Sequence, residues 1–132
     1  MSKGLIHHVE INVSNLENSV AFWGWFLEKL GYELYQTWNK GRSWKLGESY
    51  LVFVQAEEIY FDVSYHRKQV GLNHLAFYAD SREHVDLITW QLRQKGISIL
   101  YKELHPFAGG KEHYAVFFED PDRIKVELVA PG

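Results

Sequence analysis

Cysteine is absent from this chain. That excludes disulfides, thiolate metal ligands and a cysteine nucleophile together, so any metal must be held by histidines and carboxylates. No apolar run approaches the roughly 20 residues that a membrane-spanning helix needs. The opening stretch MSKGLIHHVEINV lacks the long apolar core of a secretory signal. No Lys/Arg-rich tract is present, and a formal net charge of −3 argues against nucleic acid or an anionic membrane as the main partner. A cytoplasmic protein acting on a small molecule is the expectation these exclusions leave. What is present suits one domain spanning residues 1–132: 46% hydrophobic residues bury a core without staples, and 16% aromatics can fill that core and line a pocket.

Two helices are legible. Ser14 and Glu17 have the spacing of a capping box, Leu16, Val20, Trp23, Leu27 and Leu30 follow helical periodicity, and Gly31 supplies the terminating residue. Asp80 with Glu83, then Val85, Ile88 and Leu92, then Gly96 repeat the formula. Each helix follows a strand-like segment, 5–13 and 72–79. Each precedes three extended pieces: 32–38, 43–46 and 50–55 in the first half, 97–101, 113–119 and 124–129 in the second. His8 maps on His74 and Ser14 on Asp80, both 66 residues on, and Gly31 maps on Gly96, 65 on. Landmarks in register and in the same order predict an internal duplication. The expected class is α+β, with two tandem βαβββ modules (approximately 4–57 and 70–130) forming a curved mixed-sheet cup.

Strand side chains alternate between faces. Leu5, Val9, Ile11 and Val13 form the apolar face meant for the helices, leaving His8, Glu10 and Asn12 opposite. His7 takes the parity of the apolar set and is expected to be partly buried or at a rim. In the matching strand Leu75, Phe77 and Ala79 face the helix and His74 and Tyr78 face away. In the last strand Val126 and Leu128 face the helix, with Lys125, Glu127 and Val129 opposite. His8, His74 and Glu127 therefore share the non-helix face, a two-histidine, one-carboxylate set suited to Fe(II), Mn(II), Ni(II) or Zn(II), with positions open for substrate.

The chain resembles the vicinal oxygen chelate superfamily of glyoxalase I, fosfomycin-resistance thiol transferases, bleomycin-resistance proteins and extradiol dioxygenases. The resemblance rests on IHHVEINVSNLENSVAFW at residues 6–23, GLNHLAF at 71–77, and FFEDPD at 117–122 leading to Val126-Glu127-Leu128. It implies His8, His74 and Glu127 as metal ligands. It also implies a metal that chelates neighbouring substrate oxygens and stabilises developing negative charge. A metal-dependent lyase or transferase is the leading expectation, with any thiol arriving as a cosubstrate. A metal-free, bleomycin-resistance-like protein that sequesters a small molecule is the alternative. Members commonly cover exposed strand edges by pairing modules, so a homodimer is expected.

The departures narrow this. Glyoxalase I-type members carry a fourth ligand, a Glu, on the strand written here as Tyr50–Gln55. No carboxylate lies there; Phe53 or Gln55 is expected on the relevant face. The extradiol signature wants Tyr at Phe117 and Gly at Arg123, which disfavours ring cleavage. Three ligands match the fosfomycin-resistance pattern better, with Arg42, Lys111 and Arg123 the candidates for its basic residues. Beside the ligands, Glu127, His113, Tyr114 and Glu10 are the candidates for acid–base work. Tyr78, Trp44 and Phe53 are candidate pocket walls, His66, His84 and His105 read as surface residues, and the glycine-rich loop 105–110 is a candidate lid.

Overall fold

Trp23, Phe26 and Phe53, all fully buried, form the centre of the first half, and the rings of Trp23 and Phe53 stack with centroids 4.9 Å apart. That contact fastens a helix to a sheet, and everything around it follows the alternation of faces. The computed structural model describes residues 3–132, which divide after Ser64 into two compact units. The first holds β1 (His8–Val13), α1 (Leu16–Lys29), β2 (Glu33–Trp38), β3 (Gly41–Leu46) and β4 (Ser49–Gln55). Its sheet runs β1-β4-β3-β2, with β1 parallel to β4 and the other neighbours antiparallel. The second unit holds β5 (His74–Tyr78), α2 (Arg82–Gln94), β6 (Ala115–Glu119) and β7 (Lys125–Val129), in the sheet order β5-β7-β6. Val85, Ile88 and Leu92 of α2 are buried with Val116, Phe118, Val126 and Leu128 as its core. No described helix is long and apolar enough to cross a membrane.

The α+β class and the duplicated order are borne out, with one reduction. The piece expected at 97–101 survives as a single antiparallel bridge between Ile99 and Phe118, backed by the Leu100 N–H donating to the Phe117 carbonyl at 2.8 Å. It sits beside β6 as β2 sits beside β3. Tyr101 ends it by adopting φ 54, a left-handed conformation that turns the chain out of an extended path.

Both helices start one residue later than the capping boxes imply. Asn15, not Ser14, is the first cap, its side chain accepting from the Asn18 N–H at 3.0 Å. Ser81, not Asp80, is the second, accepting from the His84 N–H at 3.1 Å. Each box has two cap-competent residues side by side, and neighbouring contacts decide between them. Gln55 Oε1 takes the Leu16 N–H at 2.9 Å, and His84 Nδ1 takes the Asp80 N–H at 3.0 Å. The helix ends agree with expectation. Gly31 (φ 95) and Gly96 (φ 77) let the Tyr32 N–H reach the Leu27 carbonyl and the Ile97 N–H reach that of Leu92, the six-to-one bond of a Schellman motif.

Two face assignments are corrected. Phe53 lies against α1, and Gln55 is spent on the start of that helix, so neither occupies the fourth-ligand position. That face of β4 carries Tyr50, Val52 and Val54, the register partners of His8, Glu10 and Asn12. Trp44 is also core: its indole N–H donates to Glu28 at 3.3 Å, and its ring covers Gly24, where a Cβ would come within 3.0 Å. β1 and β5 begin later than expected, which leaves Leu5, Ile6 and His7 exposed ahead of β1, whereas β3 and β4 begin earlier, at Gly41 and Ser49.

Candidate metal centre

β7 is the central strand of its sheet, hydrogen-bonded on both sides, which is why a carboxylate on it is withdrawn from water. Glu127 is only 5% exposed. Its register partners are Phe117 on β6 and Ala76 on β5, and the small Ala76 leaves room for imidazoles above the carboxylate. His74 Nε2 lies 3.1 Å from Glu127 Oε1, and His113 Nε2 hydrogen-bonds to Oε2. A buried carboxylate ordinarily needs a fixed cation or several donors. Among the described residues Glu127 has two imidazoles and no lysine or arginine.

The polarity of these contacts is informative. His74 Nδ1 lies 2.8 Å from Asn73 Oδ1. An amide oxygen only accepts, so Nδ1 carries the hydrogen. Nε2 then directs a lone pair at Glu127 Oε1, so that a shared proton or a metal ion would join the two. A hydrogen bond at the far nitrogen, the place Asn73 takes here, fixes the direction in which the near nitrogen of an imidazole points.

His113 reaches Glu127 because the loop before it closes tightly. The His113 N–H donates to the Gly110 carbonyl at 3.0 Å, and Gly110 takes φ 130. The imidazole rests on Gly109, where a Cβ would fall 2.3 Å from its Cδ2. The loop considered as a lid thus also seats a site residue.

The structure brings Glu127, His74 and His113 together. Tyr114 points elsewhere: its hydroxyl donates to Asp86 Oδ1 at 2.5 Å, and Arg82 lies over its ring at 4.8 Å. The hydrogen bond to Asp86, with burial, raises its pKa, which keeps the phenol protonated. His8 and Glu10 belong to the first unit, exposed on the non-helix face of β1. The His8 ring stacks on Tyr50 (4.8 Å, 4°), and its Nδ1 lies 2.9 Å from His7 Nδ1. Among the described residues no three His, Cys, Asp or Glu side chains form a cluster able to hold an ion; the second-unit contacts run through one carboxylate with an imidazole at each oxygen.

The basic candidates are accounted for differently. Arg42 donates to the carbonyls of Trp38 and Gly41, and Arg123 Nε lies 3.6 Å from Glu119. Arg123 does stand at positive φ, 67, where a side chain costs about 1 kcal/mol. His84 and His105 are half-buried rather than surface residues. His105 Nδ1 has no hydrogen-bond partner among the described residues, and burial lowers its pKa. Sequence reasoning passed over Asn73, whose signal is adjacency to a histidine on the ligand face.

The sequence profile of the Glyoxalase/Bleomycin resistance protein/Dioxygenase superfamily matches residues 5–128. The chain is 60% identical over 127 residues to an uncharacterized protein, YqjT, of Bacillus subtilis (strain 168), covering 96% of this chain and 99% of that protein. A crystal structure of a candidate glyoxalase from Bacillus halodurans shares 60% identity and a TM-score of 0.96, covering 98% of this chain and 97% of that one. Glutathione transferase FosA of Serratia marcescens is 28% identical over 123 residues, covering 93% of this chain and 78% of that protein.

Proposed function

The chain belongs to the glyoxalase/bleomycin resistance protein/dioxygenase superfamily, and from that premise we propose that it is a small divalent-metal-dependent enzyme of the glyoxalase/fosfomycin-resistance type. Its substrate carries two metal-chelating oxygens, and its reaction is an isomerisation or an addition to an electrophile. The observation that carries this reading is the Glu127 carboxyl group, buried with an imidazole at each oxygen, one of them with its far nitrogen held by Asn73. Neutral imidazole and carboxylate suit Mn, Fe, Ni or Zn. His74 and Glu127 are the proposed ligands in the second unit, and His8 is proposed as a metal ligand in the first. A bound metal polarises the substrate oxygens and stabilises the negative charge formed on them. His113 holds Glu127 in place and passes a proton to or from the reacting molecule. The likeness to a glutathione transferase supports a thiol as cosubstrate, since this chain has none of its own.

The test is calorimetric titration of metal-stripped, untagged protein with Mn(II), Ni(II) and Zn(II). Binding of at least one ion is expected, weakening as the solution is acidified because protons compete for the same nitrogens. No binding of any of them would leave metal-free sequestration of a small molecule as the better account.

The protein is further proposed to act as a homodimer. β1 and β2 are the outer strands of the first sheet, β2 is exposed along its whole length, and Ile59, Tyr60 and Val63 are all more than half exposed. Such edges and apolar side chains are normally covered. Light scattering at micromolar concentration should give twice the 15.5 kDa chain mass; a monomer at that concentration refutes the assembly.

A further inference from the structure

Lys125 shares the non-helix face of β7 with Glu127, two residues away, and its register partners are His74 on β5 and Glu119 on β6. A lysine directly opposite a glutamate ordinarily pairs with it. Here Glu119 is taken by others: Arg67 Nη1 contacts its Oε2, and Arg123 Nε approaches the same oxygen at 3.6 Å. Among the described residues no carboxylate forms an ion pair with Lys125. Its Nζ instead donates to the Tyr101 hydroxyl at 3.0 Å and stands 5.1 Å from the centroid of the Tyr101 ring and 5.4 Å from that of Phe117.

This arrangement is built. Tyr101 is held at φ 54, a conformation that disfavours a non-glycine residue and persists only where its surroundings fix it. Its ring meets the largely buried Phe117 ring edge-on at 5.5 Å, and Phe117 meets the His74 ring at 6.3 Å. One phenylalanine therefore underlies both the imidazole that touches Glu127 and the ammonium that lacks an anion. Arg67 and Arg123 both approach the same Glu119 oxygen, which leaves Lys125 without that partner.

We propose that Lys125 and Tyr101 form an oxyanion-binding element beside Glu127, so that the substrate of this protein is a small acid. The ammonium has N–H groups left to donate, and the hydroxyl, having accepted from Lys125, still has its own hydrogen to give. Together they match one carboxylate or phosphoryl group, and the aromatic faces limit the water that competes with it. The substrate assignment rests on the metal-enzyme reading above; the anion-binding element does not.

The probes are inorganic phosphate and acetate, titrated into the metal-free full chain and followed by the amide chemical shifts of Tyr101, Phe117 and Lys125. Saturable shifts are expected with at least one of them, and the stronger binder tells a phosphoryl from a carboxylate preference. Lys125→Met keeps the stem but removes the charge and should weaken binding about tenfold or more. Tyr101→Phe should weaken it less, and Lys29→Met, exposed in the last turn of α1, should leave it unchanged. Glu127→Gln should retain anion binding, which separates this element from the metal. The proposal is overturned if wild type binds neither probe, or if Lys125→Met binds as wild type does. The metal reading stands or falls separately, on its own titration.

Discussion

Glu127→Gln should weaken divalent-metal binding by at least about 100-fold while leaving the fold intact. The substitution preserves shape and keeps an amide able to bond the imidazoles that flank Glu127. What it removes is the anionic oxygen, and with it the only negatively charged ligand of the proposed set. Loss of a group that merely orients a ligand typically costs 10–100-fold, so loss of the charged ligand itself should exceed that range. His113→Ala, which removes a partner of the carboxylate, belongs near the lower end. Calorimetry on the stripped variants, with circular dichroism to verify folding, measures both. Glu127→Gln binding metal within a few-fold of wild type would remove Glu127 from the ligand set.

Trp23→Ala should destabilise the protein by about 3–5 kcal/mol, the range for a large aromatic removed from a close-packed core. Trp23 is 0% exposed. It stacks on Phe53 and meets Phe22 edge-on at 5.2 Å, so no neighbouring side chain is free to collapse into the space it vacates. Domain stabilities are about 5–15 kcal/mol, so the variant should sit near the threshold of folding. Urea denaturation followed by fluorescence of the remaining tryptophans reads the change. A loss below about 1 kcal/mol would mean that the contact between α1 and β4 is not what fixes the first unit.

The features that the sequence makes plain are those governed by periodicity. Alternation put His74 and Glu127 on one face of their strands, and the structure has them in contact because β5 and β7 are neighbours. The helices, their glycine ends and the duplicated order are equally local. The misread features each depend on something distant in sequence. Choosing Asn15 over Ser14 involves Gln55, which lies 39 residues from its partner Leu16. Gln55 and Phe53 lie on the helix side of β4 because the register pairs them with Val13 and Ile11 of β1. His113 could be named but not aimed, since its approach to Glu127 depends on Gly109 having no side chain. Lys125 was placed on the correct face, yet its lack of a carboxylate becomes visible only when Glu119 is seen held by Arg67 and Arg123.

The position of β7 bears on how the centre can be lost. Because β7 lies between β5 and β6, fraying at either edge of the sheet leaves one full ladder on it intact. Freeing the Glu127 backbone requires both ladders to open, and that amounts to unfolding the unit. The carboxylate and the ammonium two residues before it are thus carried by the segment with the highest opening free energy. His113, by contrast, depends on a surface turn that opens far more readily. In the proposed site, Glu127 is therefore held by the better-protected backbone and His113 by the less protected one.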